Sequence, residues 1–218
     1  MARNTSNRQE PRSRDPERTK GEILEAALSE FAANGYGGAR IQAIAQRAGC
    51  NPRLIYHYFG SKDDLYLAAL RSIYAELRSR ENELNLEASS PCDAVLKLAE
   101  FTFDFFSSNP AFVSITRSEN LLDGRFVHQL PEISELSNPL IRKLDGVLKR
   151  GARAGEIRPG IDAMQLYVSM VALSAHHINA MHTLSATFGT DLSSTDWRKA
   201  RRTHVVELIA AAVAHRES

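Results

Sequence analysis

Cysteine is scarce in this sequence, since only Cys50 and Cys92 occur among its 218 residues. Two cysteines so far apart do not give the paired spacing of a zinc site, and we expect both to be reduced thiols. Cys50 falls in a short turn between two predicted helices. We interpret it as a small apolar residue, and redox sensing at this thiol is the alternative.

Long apolar runs are also missing. No stretch of about 18 apolar residues occurs, which excludes a transmembrane helix by sequence. The N-terminus is polar and lacks the apolar segment of a signal peptide. We therefore expect a cytoplasmic protein with no membrane partner.

Motifs typical of enzymes are absent as well. The sequence contains no G-x-S-x-G, no glycine-rich phosphate loop and no carboxylates at metal-ligand spacing. Two acidic pairs remain, and we expect both on solvated helix faces: Asp63-Asp64 and Glu81-x-Glu83. The sequence therefore predicts a protein that is not an enzyme and needs no cofactor.

Three histidines, His176, His177 and His182, fall within one predicted helix. Metal ligands on a helix favour i, i+4 spacing, which these three residues do not have. We expect no metal site. The preferred interpretation is a partly buried histidine that faces a pocket or a dimer interface.

Charge is unevenly distributed, although the net charge is only +1. Residues 1–62 contain ten Lys and Arg against six Asp and Glu, whereas residues 63–218 contain seventeen against twenty. A basic head on an acidic body suits a chain that contacts phosphate at one end. Residues 1–17 are predicted to be a disordered basic arm, either a solvated tail or a segment that contacts DNA.

Residues 41–62, IQAIAQRAGCNPRLIYHYFGSK, predict two short helices joined by a tight turn and followed by the start of a third. Apolar residues recur at helical spacing through Ala48, and Gly49 can end that helix in a left-handed conformation. Asn51 is a suitable N-cap and Pro52 a suitable first residue for the second helix. Ser61 caps the third. This pattern is typical of a helix-turn-helix, whose second helix enters the DNA major groove.

The same stretch resembles the N-terminal signature of the TetR family of bacterial transcriptional regulators. The resemblance covers about residues 19–70, and the matching features are Ile44-Ala45, Ala48-Gly49, Ile55-Tyr56-x-Tyr58-Phe59 and Ser61-Lys62 before Leu65. It implies an all-α protein with a three-helix DNA-binding head, residues 18–66. A larger helical-bundle body, residues 67–218, would bind a ligand and form the dimer.

Four residues are predicted to face DNA from their position and chemistry: Arg53, Tyr56, His57 and Lys62. Arginine can read guanine through a bidentate fork, and Lys62 lies at a helix N-terminus that favours phosphate. The resemblance adds Gln42, Asn51, Leu54 and Tyr58 to this set. Arg40 stands where the family usually has Ser or Thr; it cannot cap the next helix, but it can reach a phosphate.

The body is expected to contain only helices. One is predicted to extend from Ser61 to about residue 84, another over residues 162–186 and the last over residues 194–215. A pocket between them is predicted to combine aromatic and aliphatic walls with a few hydrogen-bonding groups. Its predicted lining is Tyr74, Leu77, Phe105, Phe112, Ile115, His176 and Asn179.

The last two long helices are rich in small residues, among them Ala172 and Ala175 on one helix and Ala211 and Ala212 on the other. In the TetR family the last two helices pair with those of a second subunit as a four-helix bundle, so the resemblance implies a homodimer. The segment SNPAFVSITRSENLLDG also resembles the subgroup that contains pyrimidine-utilisation and nicotinate-degradation regulators, which implies a small, planar, polar effector, aromatic or heterocyclic.

The sequence therefore predicts a regulator, most simply a repressor, that binds a palindromic operator as a homodimer and is released by a small molecule. The resemblance implies that the fourth helix tilts to change the separation of the two recognition helices. The alternative is a ligand-independent DNA-binding architectural or cell-division protein on the same fold. A body without an accessible pocket would favour that alternative.

Overall fold

The computed structural model describes residues 15–215, and in that range the chain forms ten α-helices and no β-strand. The prediction of an all-α fold is confirmed. None of the helices in the described range is long and apolar enough to cross a membrane. The helices are α1 (Pro16–Gly38), α2 (Ile41–Arg47), α3 (Pro52–Phe59), α4 (Lys62–Asn82), α5 (Pro91–Ser108), α6 (Pro110–Asn120), α7 (Pro131–Ala154), α8 (Ala163–Asn179), α9 (Met181–Phe188) and α10 (Thr195–Val213).

Most helices begin at a polar side chain that accepts a backbone hydrogen bond from the first turn. Asn51 accepts from the N–H of Arg53 at the start of α3, and Ser61 accepts from that of Asp64 at the start of α4. Both predicted caps are confirmed. Asp15 caps α1 in the same way, so residues 16 and 17 of the predicted arm are helical; residues 1–14 lie outside the described range.

The first helix changes direction at Gly35, which has a φ of 64° within α1. A left-handed backbone is the conformation that glycine adopts without steric cost. A Cβ atom at this position would lie 3.0 Å from Oγ of Ser118 on α6. The absent side chain therefore allows the backbone of α1 to approach α6 closely.

Two apolar cores lie along the molecule. The first joins α1–α4 to α6 and the segment after it, and its fully buried side chains include Phe31, Ile55, Tyr66 and Phe126. The second lies between α5, α7, α8 and α10. Because the first core includes α6, the head is packed directly onto the body, and the predicted division after residue 66 falls inside the continuous helix α4.

The helix predicted over residues 162–186 is wrong in one respect, because α8 ends at Asn179 and α9 begins at Met181. Ala180 leaves the helical conformation, and its carbonyl accepts hydrogen bonds from the hydroxyl of Thr183 and the N–H of Leu184. None of the residues of α9 is buried. The apolar pattern that continues past Asn179 therefore reflects a short surface helix rather than an extension of α8.

Candidate functional site

The helix-turn-helix is held in place from one side. Ile55 is the only buried residue of α3, and it packs in the first core with Ile44 and Ala45 of α2. Gly49 in the turn has a φ of 59°, which ends α2 as the sequence predicted. Tyr58 and Phe59 pack half-buried against the same core, and the side of α3 that contains Arg53, Tyr56 and His57 is exposed.

The predicted DNA-facing residues lie on that open side to different degrees. Arg53, Tyr56 and His57 are exposed on α3, and Asn51 and Gln42 are exposed next to them. Leu54, Tyr58 and Lys62 are half-buried. Tyr58 packs against the first core and has its ring 5.2 Å from that of His57. The exposed set combines a guanidinium, an imidazole, a phenol and amides on one surface.

Arg40 precedes α2 and makes no side-chain cap for it, as expected from its chemistry. Its backbone N–H instead donates to a carboxylate oxygen of Glu30 on α1, at 3.2 Å. Glu30 is buried, and sequence reasoning missed this role for it. The side chain of Arg40 is left exposed beside the recognition surface.

Lys62 is positioned by a cluster that joins the head to the body. Its ammonium lies 4.7 Å from the centre of the Tyr36 ring, and the Tyr36 hydroxyl donates to Asp63. Asp63 also faces Arg125 of the α6–α7 connection at 3.7 Å. The hydrogen bond to the Asp63 carboxylate raises the pKa of Tyr36. Asp63 therefore takes part in an interface instead of a purely solvated face.

A cavity of about 740 Å³ lies between α4, α5, α6, α8 and α10. Five of the predicted residues line it: Tyr74, Leu77, Phe112, His176 and Asn179. The structure does not place Phe105 and Ile115 on its wall. On α5 the neighbouring residue Phe106 faces the cavity. On α6 the cavity is lined by residues four positions apart: Phe112, Thr116 and Asn120. Ile115 is fully buried in the first core beside Phe112 and does not reach the cavity wall.

The cavity wall also contains groups that sequence reasoning missed, above all Arg78, Tyr167 and Arg201. Nη1 of Arg78 donates to a carboxylate oxygen of Glu81 and to the Tyr167 hydroxyl, the latter at 3.1 Å. The Tyr167 hydroxyl donates to the second carboxylate oxygen of Glu81 at 2.7 Å. These three residues form a closed, buried polar triad between α4 and α8.

The prediction that Glu81 lies on a solvated face is therefore wrong, since the residue is only 3% exposed. Residues three and four apart share a helix face, so Glu81 lies on the same side of α4 as Leu77 and Arg78. Burial raises the pKa of the Glu81 carboxyl, and the Arg78 guanidinium opposes that shift. Its sequence neighbour Glu83 is exposed, as predicted.

The adjacent histidines of α8 have different environments. His176 is exposed at the cavity wall. His177 is buried, with its ring stacked on Phe103 at 5.2 Å between centres and close to that of Trp197. Desolvation lowers the pKa of His177 to about 4. Neither ring nitrogen of His177 has a hydrogen-bond partner among the described residues.

Two helices present apolar or small side chains to solvent. On α8 these are Met164, Val168 and Ala172, and Val168 is 53% exposed. On α10 they are Leu208, Ala211 and Ala212. These surfaces belong to the two helices for which the sequence predicted a role in dimer formation.

Comparison with known proteins agrees with this architecture. Residues 23–69 match the family described as bacterial regulatory proteins, tetR family, and residues 91–209 match the tetracyclin repressor-like C-terminal domain. The chain is 32% identical over 190 residues to the HTH-type transcriptional repressor NicS of Pseudomonas putida. The aligned region covers 85% of this chain and 90% of that protein.

A second relative is the HTH-type transcriptional repressor SCO4008 of Streptomyces coelicolor, which is 32% identical over 74% of this chain and 79% of its own length. Among solved structures, the ketosteroid transcriptional regulator KstR2 of Mycobacterium tuberculosis has the same fold, with a TM-score of 0.70, 20% identity and coverage of 95% of this chain and 98% of that one. The regulator FadR of Bacillus subtilis, solved with stearoyl-CoA, has a TM-score of 0.60 at 19% identity and covers 88% of this chain and 98% of that one.

Proposed function

We propose, because this chain belongs to the tetR family of bacterial regulatory proteins, that it is a repressor released from its operator by a small molecule. The observation that carries the proposal is the pairing of an exposed recognition helix with a cavity in one packed unit. Both α4 and α6 line the cavity, and both pack against α1 of the head. A ligand that moves either helix would move the head.

The DNA contacts divide into two classes. Arg53 is proposed to read a guanine in the major groove, with Tyr56 and His57 beside it. Lys62 and Arg40 are proposed to bind phosphate, which sets affinity rather than sequence preference. Gln42, Asn51, Leu54 and Tyr58 complete the proposed interface. The exposure of Arg53, Tyr56 and His57 supports these roles.

The operator is proposed to be a palindrome bound by a homodimer that forms through α8 and α10. In such a complex the two recognition helices would enter successive major grooves about 34–36 Å apart. The exposed side chains Val168 and Leu208 and the neighbouring small residues support this interface. A tilt of α4 would change the separation of the two heads and so weaken operator binding.

The effector is proposed to be a small planar molecule, aromatic or heterocyclic, bound in the cytoplasm. The rings of Tyr74, Phe106 and Phe112 at the cavity wall can pack against such a molecule, and His176 and Asn179 can orient it. The volume of the cavity also weighs against the ligand-independent architectural protein. In this proposal residues 18–66 bind DNA, and residues 67–218 bind the ligand and form the dimer.

Selection of bound duplexes from a random pool tests the DNA-binding function. We expect an enriched palindrome, bound with an affinity that falls steeply as salt concentration increases. A pool with no enriched sequence would contradict the proposal. Planar heterocycles and aromatic acids would then be titrated against the complex, and binding of such a molecule without loss of operator affinity would favour the architectural alternative.

The dimer is tested by Ala212→Arg, measured by light scattering. We expect the unmodified protein to be a dimer at micromolar concentration without DNA. The variant should be monomeric, because the substitution would bury an unpaired charge in the interface. Thr203→Arg is the matched control, because this exposed position lies on the opposite side of the same helix from Ala212.

A further inference from the structure

The charges on the cavity wall are of one sign. Its lining includes the side chains of Arg78 and Arg201 and, among the described residues, no aspartate or glutamate. The remaining lining is mostly aromatic or aliphatic, with a few further polar side chains, among them Thr116, Asn120, His176 and Asn179. An apolar cavity with guanidinium groups favours a ligand that has an apolar body and an anionic end.

The guanidinium of Arg78 has one buried donor without an acceptor. Its Nη1 makes both hydrogen bonds of the buried triad with Glu81 and Tyr167. Its Nε donates to no acceptor among the described residues, and the whole residue is only 8% exposed. A buried donor without an acceptor is costly, and a ligand that supplies one gains that free energy on binding.

Arg202 shows how an arginine of this protein binds a carboxylate. Nε and Nη2 of Arg202 donate to the two carboxylate oxygens of Asp104, at 2.8 and 2.9 Å. This is the bidentate geometry in which a planar guanidinium matches a planar carboxylate. Glu81 and Tyr167 hold the Arg78 guanidinium in a fixed orientation at the cavity wall.

Arg201 supplies the charge that Arg78 cannot. The charge of Arg78 is balanced by Glu81, whereas Arg201 has no carboxylate partner within 4 Å among the described residues. Its Nη2 donates to the carbonyl of Leu173 at 3.1 Å, and its Nε is buried without an acceptor. One uncompensated positive charge at the wall matches a singly charged anion better than a phosphate dianion.

We propose that the effector is a carboxylic acid, bound as its carboxylate by the guanidinium groups of Arg78 and Arg201, with its apolar body against Tyr74, Phe106 and Phe112. The proposal rests on the effector function given above and adds the chemical class of the ligand. Arg78 fixes the orientation of the carboxylate, and Arg201 provides the net attraction.

Matched acids and amides test this proposal without DNA. Benzoate and 2-naphthoate would be titrated into the full-length protein by calorimetry, beside benzamide and 2-naphthamide. We expect each acid to bind at least about tenfold more tightly than its amide, since only the acid accepts two charge-assisted hydrogen bonds. Equal affinities of acid and amide, or the absence of binding by both acids, would overturn the proposal.

The variants separate the two arginines from general charge effects. Arg201→Gln should abolish most of the preference for the acid. Its control is Arg202→Gln, which removes the same charge from the next residue of α10 but leaves the cavity wall intact. This control variant should retain the preference for the acid over the amide. Arg78→Lys keeps the pair with Glu81 and removes the fork, so it should reduce the preference too.

Circular dichroism checks that each variant is folded, and the comparison of Arg201→Gln with Arg202→Gln decides the question even where Arg78→Lys does not fold. Retention of the acid preference in Arg201→Gln would refute the proposal. Failure of the regulatory function itself is recognised separately, because it is measured as the absence of selective DNA binding. If only a neutral ligand releases the operator, the regulatory function is retained and the proposal that the effector is a carboxylate is refuted.

Discussion

The recognition surface and the cavity gather their residues over very different lengths of chain. The DNA-facing set lies within residues 40–62, on two short helices and the turn between them. The cavity wall takes residues from five helices, from Tyr74 on α4 to Arg201 on α10. The first surface depends on local rules of capping and periodicity, whereas the second depends on how distant helices pack.

This difference also affects what holds each region together. The recognition helix is held by apolar packing, with Ile55 as its one buried side chain and the half-buried Tyr58 and Phe59 beside it. The cavity depends on a polar triad that ties α4 to α8 through Glu81 and Tyr167. Loss of an apolar anchor leaves a void, whereas loss of a partner in a buried ion pair leaves an uncompensated charge.

The largest expected effect is in the triad. Glu81→Ala should lower the free energy of unfolding by about 3–5 kcal/mol, because it leaves the Arg78 guanidinium buried without its partner. Urea denaturation measures the change. Glu83→Ala, two residues further on and exposed, should have little effect. Similar losses in the two variants would show that Glu81 does not act through burial.

The recognition helix should respond next. Ile55→Ala should cost about 2–5 kcal/mol of unfolding free energy, since it empties a fully buried site in the first core. Tyr56→Ala, at the adjacent and 49% exposed position, should leave the midpoint of urea unfolding nearly unchanged. If the two variants unfold at the same denaturant concentration, the recognition helix is not anchored in the way described.

Base reading should be separable from phosphate binding within the same surface. Arg53→Ala should cost about 1–3 kcal/mol of operator affinity and relax the preference at one base pair in each half-site. Lys62→Ala should weaken binding to all sequences alike and reduce the salt dependence. Titrations on operator and random DNA at several salt concentrations measure both. Equal losses on the two DNAs for Arg53→Ala would remove its reading role.

The smallest effect concerns pH and the two histidines of α8. The pKa of His177 is lowered to about 4 in the folded protein, while an unfolded histidine titrates near 6.5. The unfolded chain therefore binds the proton more tightly, and the stabilisation is complete above pH about 6.5 and is lost as the pH falls towards 4.

Between pH 7 and pH 5 this loss should amount to about 1–2 kcal/mol of unfolding free energy. His177→Phe should remove that part of the pH dependence, whereas His176→Phe, at the exposed neighbour, should retain it. Urea unfolding at a series of pH values gives the comparison. An unchanged slope in His177→Phe would assign the pH dependence to other groups.

Local chemistry made the head predictable from sequence. The caps at Asn51 and Ser61, the stop at Gly49 and the exposure of Arg53 depend on neighbours within one or two helical turns. Tyr36 and Glu30 were missed, although both belong to the head. Each contacts a residue ten or more positions away, and no periodic signal marks such a contact.

The body was predictable as a set of helices but not as a set of contacts. The mixture of aromatic and hydrogen-bonding residues indicated Tyr74 and Phe112 for the cavity. It could not choose Phe106 over Phe105, since both are buried and only the rotation of α5 distinguishes them. A charged residue such as Glu81 is expected at the surface unless its partners are known. One of those partners, Tyr167, lies 86 residues further along the chain.

The close approach of α1 and α6 at Gly35 determines what lies between the head and the cavity at this point. A side chain placed between two helices can change rotamer and so absorb a small displacement. At Gly35 only one of the two helices has a side chain in the gap, that of Ser118 on α6, the helix whose Phe112 and Asn120 line the cavity. With one small side chain between the helices instead of two, less of a displacement of α6 is absorbed before it reaches the head.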